Sequence, residues 1–407
     1  MSTSTISRRG VLKAAAVLGC SAAAHPLMTT MTLAAVPGDA RLVVIILRGA
    51  MDGLDVVQPR GDRDFAPARP GLIGEAEDLD GFFALHAGLA PLMPLWKAGE
   101  LGFVHAVSTP YRDKRSHFDG QDMLEAGTAM DVPLASVRDG WLNRLLQVLP
   151  GATGRTAFAI GRENMKILSG PAEVSSWAPD TRLRLSGQAE RLLQEAYHDD
   201  PLFADASLEA MQLARAMSTQ AGDDAAGGGE GAMMQQMMKA GGGRSEKALA
   251  AFAADRLNRE TRIAAFSING WDTHRNQAGA LGRALGRLSD AILTLRRGLG
   301  ANWERTTVLA MTEFGRTVRE NGTGGTDHGT GGAMLLAGGA VRGGKVYGRW
   351  PGLAEAELYD RRDLRPTGDV RALAAWAMRD MFSLERTMLE TRIFPGLDMG
   401  DNPRIIL

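Results

Sequence analysis

Residues 42–47, Leu-Val-Val-Ile-Ile-Leu, form an unbroken apolar and largely β-branched run that stops at Arg48-Gly49. A strand with one wetted face alternates apolar and polar residues, so a continuous run of this length is the pattern of a strand covered on both sides. Residues 101–107, 156–160, 263–268 and 307–311 repeat it, and the segments between them carry helical spacing. That spacing predicts helices over residues 141–149, 188–197, 202–217, 277–299 and 370–381. The third-to-fourth step of Leu281, Leu285, Leu288, Ile292 and Leu295 makes 277–299 the clearest of them. Strands alternating with helices require crossover connections, and the expected fold is α/β: a doubly wound, mostly parallel sheet with helices on both faces.

The first 35 residues follow a different logic. Ser7-Arg8-Arg9-Gly10-Val11-Leu12-Lys13 precedes a mildly apolar stretch at 14–24 and then small residues up to Ala34-Ala35. Charged, apolar and small segments in that order make a removable signal, and the paired arginines fit the twin-arginine pattern. The expected partner is therefore the twin-arginine translocase, and the expected location is the periplasm or beyond. The apolar stretch falls short of the about 20 residues that span a bilayer, so no permanent membrane anchor is expected. Cys20, the one cysteine, lies inside this signal, which leaves the mature chain without disulfides. Residues 36–407 are expected to form a single domain. Within it, Gly222, Gly227-Gly228-Gly229 and Gly241-Gly242-Gly243 bracket Met233, Met234, Met237 and Met238, so 217–246 reads as a flexible insertion.

Charge excludes one class of function. With 46 Lys and Arg against 47 Asp and Glu, no whole-chain field draws in nucleic acid. An organic redox cofactor gains no support either, because no Gly-x-Gly-x-x-Gly follows a strand and no Cys-x-x-Cys-His exists.

In an open α/β sheet, ligands gather beyond the carboxyl ends of the strands. Chemistry-bearing residues collect at those places here. Asp52 and Asp55 follow the first strand; Ser116, His117, Asp119 and Asp122 lie beyond the second; Asp272, Thr273 and His274 follow the strand ending near residue 268. Glu313 and Arg316 follow the strand ending at 311, and Asp327-His328 comes a glycine-rich loop later. His117, His274 and His328 each have a carboxylate within two residues, and imidazole with carboxylate is the ligand set of zinc, manganese or iron. A divalent cation site is expected from the clusters taken together, although any single Asp-His pair can equally orient a structural histidine or cap a helix.

Five motifs in order carry a resemblance: Leu-Arg-Gly-Ala-Met-Asp-Gly-Leu-Asp, Ser-His-Phe-Asp-Gly-Gln-Asp, Gly-Trp-Asp-Thr-His, Thr-Glu-Phe-Gly-Arg-Thr and Gly-Thr-Asp-His-Gly. Together they resemble the exported domain-of-unknown-function family numbered 1501, which is similar in architecture to the alkaline phosphatase superfamily of sulfatases, phosphatases and phosphoglycerate mutases. The resemblance implies an alkaline-phosphatase-like sheet holding one or two divalent metals, with zinc, manganese or calcium the candidates, and an anionic ester as substrate. It implies Asp52, Asp272, His274, Glu313, Asp327 and His328 as metal ligands. Ser116 is implied as nucleophile at a helix start, with His117 beside it. Separately, Arg48, Arg115 and Arg316 lie close to the clusters in sequence and are candidates to grip a tetrahedral anion. Two departures stand out: Asp272 and His274 are closer together than the superfamily's pair, and Phe314 follows Glu313 where a histidine would be. The functional expectation is an exported hydrolase of phosphate or sulfate esters. The alternative is a catalytically degenerate binding or assembly protein of the same fold, engaged in export or surface polymer handling. Ser108-Thr109-Pro110-Tyr111-Arg112 has the spacing of a sulfatase signature, but reads as a turn before the helix.

Overall fold

In a computed structural model, strand β1 (Arg41–Arg48) lies between two parallel neighbours, β8 (Ile263–Asn269) and β9 (Thr306–Met311). Leu42 through Leu47 have no exposed surface, as the unbroken apolar run requires. Their side chains alternate between two cores. Leu42, Val44 and Ile46 pack with α3 (Trp141–Val148) and α6 (Val370–Phe382), whereas Val43, Ile45 and Leu47 pack with α4 (Glu246–Leu257) and α5 (Gln277–Leu299). Burying each such side chain contributes about 1.5–3 kcal/mol, which is why both faces must be covered.

The structure describes residues 39–112, 114–129, 139–161, 165–177 and 246–407. The expected export signal, the expected helices at 188–197 and 202–217, and the insertion up to residue 245 lie outside the described residues. Among the described residues no helix is long and apolar enough to cross a membrane.

Among the described residues the main sheet has nine strands, in the order β11-β5-β10-β9-β1-β8-β6-β7 with β12 also paired to β5. Here β5 is Leu101–Ser108, β6 Ala157–Ile160, β7 Ser175–Trp177, β10 Gly332–Ala337, β11 Val346–Tyr347 and β12 Gly368–Asp369. A separate three-stranded sheet is formed by β2 (Val57–Gln58), β3 (Ala76–Asp78) and β4 (Ala84–His86). All the expected strands are present, and α5 has the bounds that its leucine spacing predicts. Strand β10 is an addition to that expectation: it runs antiparallel to both β5 and β9. Its direction follows from the preceding connection, since residues 312–331 contain no helix to carry the chain back across the sheet. That return loop holds Glu313, Arg316, Asp327 and His328.

Candidate metal centre

Four chain segments meet at the carboxyl edge of the sheet: the turn after β1, the loop from β5 into α2 (His117–Ala126), the loop after β8 and the β9–β10 return. Their close approach depends on Gly49. It leaves β1 at φ +120°, and a Cβ there would stand 2.5 Å from the Asp272 amide nitrogen. Its own amide donates to Glu313 Oε1 at 2.9 Å and its carbonyl accepts from Arg316 at 2.7 Å. Three loops thus touch at a residue that no side chain fits.

Each of three imidazoles is held through Nδ1. His117 Nδ1 lies 2.8 Å from Glu313 Oε1, His274 Nδ1 3.1 Å from Asp327 Oδ1, and His328 Nδ1 2.9 Å from the Arg115 carbonyl. Carboxylates and carbonyls accept only, so each neutral ring carries its hydrogen on Nδ1 and presents a lone pair at Nε2. The three Nε2 atoms converge on Asp272. His274 and His328 stand 3.1 and 3.4 Å from its Oδ1, and His117 3.5 Å from its Oδ2. His274 Nε2 is only 2.9 Å from His328 Nε2, and His117 Nε2 is buried without a hydrogen-bond partner.

Two lone pairs face to face repel unless a proton or a cation stands with them. Nitrogen and oxygen ligands about 2.0–2.1 Å from one ion, at angles of about 90–110°, lie about 2.9–3.4 Å apart. The separations here run from 2.9 to 3.5 Å. Ligand atoms of His117, Asp272 and His328 all lie within 4.8 Å of one another, and His274 adjoins the latter two. A ligating histidine usually has its other nitrogen bonded to a carboxylate or carbonyl, and all three have that outer partner.

The electrostatics keep Asp272 anionic. Burial works to raise its carboxyl, but the Arg316 hydrogen bond at 2.5 Å and the Arg316 charge outweigh burial and hold it below the usual range. Burial likewise works against ionised Glu313, and donors from His117 and Gln121 overcome it. The Glu313 hydrogen bond raises His117 above its ordinary value, while burial and nearby cations lower His328. The Asn321 amide, burial notwithstanding, helps hold Asp327 low.

The structure gives several expected residues other surroundings. Asp52 is not in the cluster. It is 1% exposed, its Oδ1 caps α1 (Gly53–Val56), and its Oδ2 receives Arg69 Nη1 at 2.7 Å. Its carboxyl is opposed by burial but held low by Arg69, while burial and the Asp52 charge push Asp55 up. Glu313 and Asp327, expected as ligands, instead touch the Nδ1 atoms of His117 and His274, on the side of each ring away from Asp272. Arg316, expected to grip an anion, is 1% exposed and braces loops: it donates to the carbonyls of Ala50, Gly49, Trp271 and Thr326 as well as to Asp272. A guanidinium committed to loop carbonyls has no edge to offer a substrate. Ser116 is the N-cap of α2, with Oγ accepting from Asp119 N at 3.5 Å and its own amide donating to the Tyr111 hydroxyl at 2.7 Å. His117 follows it directly and enters the cluster. Phe314 is buried with its ring 5.2 Å from both His117 and His328. Residues 108–112 form a turn tied by Arg112 to Ser108 Oγ and the Thr109 carbonyl. Sequence reading missed Gln121, Arg69, Gln277 and Thr326, neutral or distant residues whose roles depend on folded contacts.

Residues 106–375 match the family model described as "Protein of unknown function (DUF1501)". No curated protein matches the chain. Among solved structures, the lipoteichoic acid synthase LtaP from Listeria monocytogenes is similar at 8% identity and TM-score 0.38, over 90% of this chain and 78% of that one. The C-terminal periplasmic domain of EcEptC from Escherichia coli is similar at 9% identity and TM-score 0.39, over 89% and 88%. Its complex with Zn matches at 9% identity and TM-score 0.33, over 74% of each chain.

Proposed function

The chain belongs to the DUF1501 family, and from the geometry of its strand-edge cluster we propose that it is an exported, metal-dependent hydrolase of phosphate or sulfate esters. The observation that carries this reading is the convergence of three Nδ1-anchored imidazoles on Asp272, with His274 and His328 Nε2 only 2.9 Å apart. His117, Asp272, His274 and His328 would hold one divalent cation. Bound there, the cation would supply polarisation of the ester oxygen and a lowered pKa for a hydroxyl in its reach.

The chain's own residues divide the remaining work. Glu313 and Asp327 keep the His117 and His274 rings in one tautomer, and Arg316 keeps the Asp272 carboxylate aimed. Ser116 stands at the start of α2, where helix dipole and free amides favour an incoming anion. In the proposed reaction its oxygen bonds to phosphorus or sulfur as the ester oxygen departs, and the hydroxyl proton passes to that departing alkoxide to give the alcohol. Water then cleaves the covalent ester to return the serine hydroxyl and free phosphate or sulfate. Phe314 packs beside His117 and His328, 5.2 Å from each ring while those two rings are 4.3 Å apart, and this carbon flank favours one cation over two.

Elemental analysis of the purified mature protein, combined with an aryl phosphate and aryl sulfate assay, tests the reading. About one divalent metal per chain and turnover that Asp272→Ala abolishes are the expected results. A folded, metal-free wild type without turnover would overturn it. The second reading, a cation-binding protein without catalysis, rests on the burial of Arg316, which leaves the site without the anticipated anion grip. Metal without turnover across phosphate and sulfate esters would favour it.

A further inference from the structure

The two loops that bring Asp272, His274 and His328 together also meet beneath the cluster, on a single amide. Gln277 opens α5 and is fully buried. Its Nε2 donates to Asp52 Oδ2 at 2.7 Å and to Asp55 Oδ2 at 2.8 Å. Its Oε1 accepts from Thr273 Oγ1 at 2.9 Å and from Thr326 Oγ1 at 2.6 Å. An amide has two hydrogens to give and two lone pairs to receive with, and all four are used. The amide cannot turn over, because its oxygen would then face two carboxylates and its nitrogen two donor hydroxyls.

The partners locate the role. Thr273 lies between Asp272 and His274, and Thr326 directly precedes Asp327-His328. The other side of the amide is fixed to the end of β1, where Arg69 and the α1 amides immobilise Asp52. We infer that Gln277 is a positioning residue that clamps the loop after β8 to the β9–β10 return and so sets the spacing of His274 and His328 around a cation. The inference rests on the cation reading proposed above. Asp52 then acts on that site through Gln277, and through Thr326, whose hydroxyl also lies 3.2 Å from Asp52 Oδ2, as the fixed end of a strut.

The loops also share backbone bonds, Thr326 N to the Thr273 carbonyl at 3.2 Å and Gln277 N to the Gly324 carbonyl at 2.8 Å. Losing one threonine hydroxyl should therefore leave the loops adjacent but free to shift by tenths of an ångström. Outer partners of metal ligands typically account for about 10–100-fold in affinity.

The test is zinc(II) affinity of the folded mature protein, by competition with a chromophoric chelator, for wild type, Thr326→Val, Thr326→Ser, Thr273→Val and Gln277→Met. Valine keeps the shape of threonine and removes the hydroxyl; serine keeps the hydroxyl. Expected are losses of about 10-fold or more for Thr326→Val and for Gln277→Met, with Thr326→Ser near wild type. Thr273→Val placed in Gln277→Met should add little, since both remove one clamp. Folded Thr326→Val and Thr273→Val binding zinc as tightly as wild type would overturn the clamp while leaving the cation reading intact. Wild type that binds no zinc would overturn the cation reading, and the clamp with it. Should Gln277→Met fail to fold, the threonine pair decides alone.

Discussion

His274 Nε2 and His328 Nε2 face each other across 2.9 Å while both rings commit their Nδ1 hydrogens elsewhere. Two neutral imidazoles in that orientation repel, so the folded protein should gain stability from any cation that enters between them. A ligand that binds only the native state at about 1,000 times its Kd adds about 4 kcal/mol. Thermal unfolding with zinc and with excess chelator is expected to show a higher Tm in zinc. Asp272→Asn, which withdraws the anionic ligand, should erase most of that difference. An equal zinc response in both proteins would place the binding elsewhere.

Glu313 offers a sharper test, because it touches His117 and not the cation position. Its Oε1 accepts from Gly49 N, His117 and Gln121, and its Oε2 from Thr312. In Glu313→Met both oxygens are lost, leaving the buried Gly49 amide and the Gln121 amide without this acceptor at about 1–3 kcal/mol. The His117 ring also loses the acceptor that fixes its tautomer. Both a lower urea midpoint and a roughly 10–100-fold weaker zinc affinity are expected. A change in stability with unaltered zinc affinity would make Glu313 a folding residue only.

Asp52 separates the structural account from the expectation that sequence suggested. As a metal ligand it would, when replaced by Asn, cost bound metal first. As the buried partner of Arg69, 2.7 Å away, it should cost stability first, since removing one member of a buried ion pair strands the other at about 3–5 kcal/mol. Equilibrium unfolding of Asp52→Asn is expected to show a loss of that order. Metal stoichiometry of the fraction that folds should stay near wild type, with affinity weakened through Gln277.

These residues mark what is legible in the amino-acid sequence. Buried parallel strands announce themselves as unbroken apolar runs, and their carboxyl edges announce where polar residues converge, so strand order along the chain suffices to put His117, Asp272, His274 and His328 at one edge. Division of labour among the carboxylates is not legible in the same way. Asp52 and Asp272 both follow a strand, and only the fold reveals that Arg69 meets Asp52 while three imidazoles meet Asp272. Arg316 resembles an anion grip for the same reason: proximity in sequence to a cluster does not report which way a guanidinium turns. Gln277 is invisible because an amide at a helix start has no distinctive spacing. Strand β10 escapes notice because its direction is set by its connection, not by its composition.

His105 provides a test of the fold at a residue outside the imidazole cluster. It is buried in β5, its Nε2 donating to the Val57 carbonyl at 2.9 Å, with Phe83 stacked on one side and Trp350 edge-on. Burial lowers it to about 4, against the help of the Val57 carbonyl and Asp52. An unfolded chain takes up this proton near pH 6.5, whereas the native state resists until about 4. Between those values the unfolded state binds more protons, so the stability contributed by neutral His105 is complete above pH 6.5 and is lost as pH falls toward 4. At about 1.4 kcal/mol per unit the loss approaches about 3 kcal/mol. His105→Gln keeps a donor for Val57 but has nothing to titrate. In chelator, which removes any bound cation, unfolding free energies of wild type and His105→Gln measured from pH 7.5 to 4.5 should converge as pH falls. Parallel curves would mean that the native state admits the proton, and that the ring is reached by water after all.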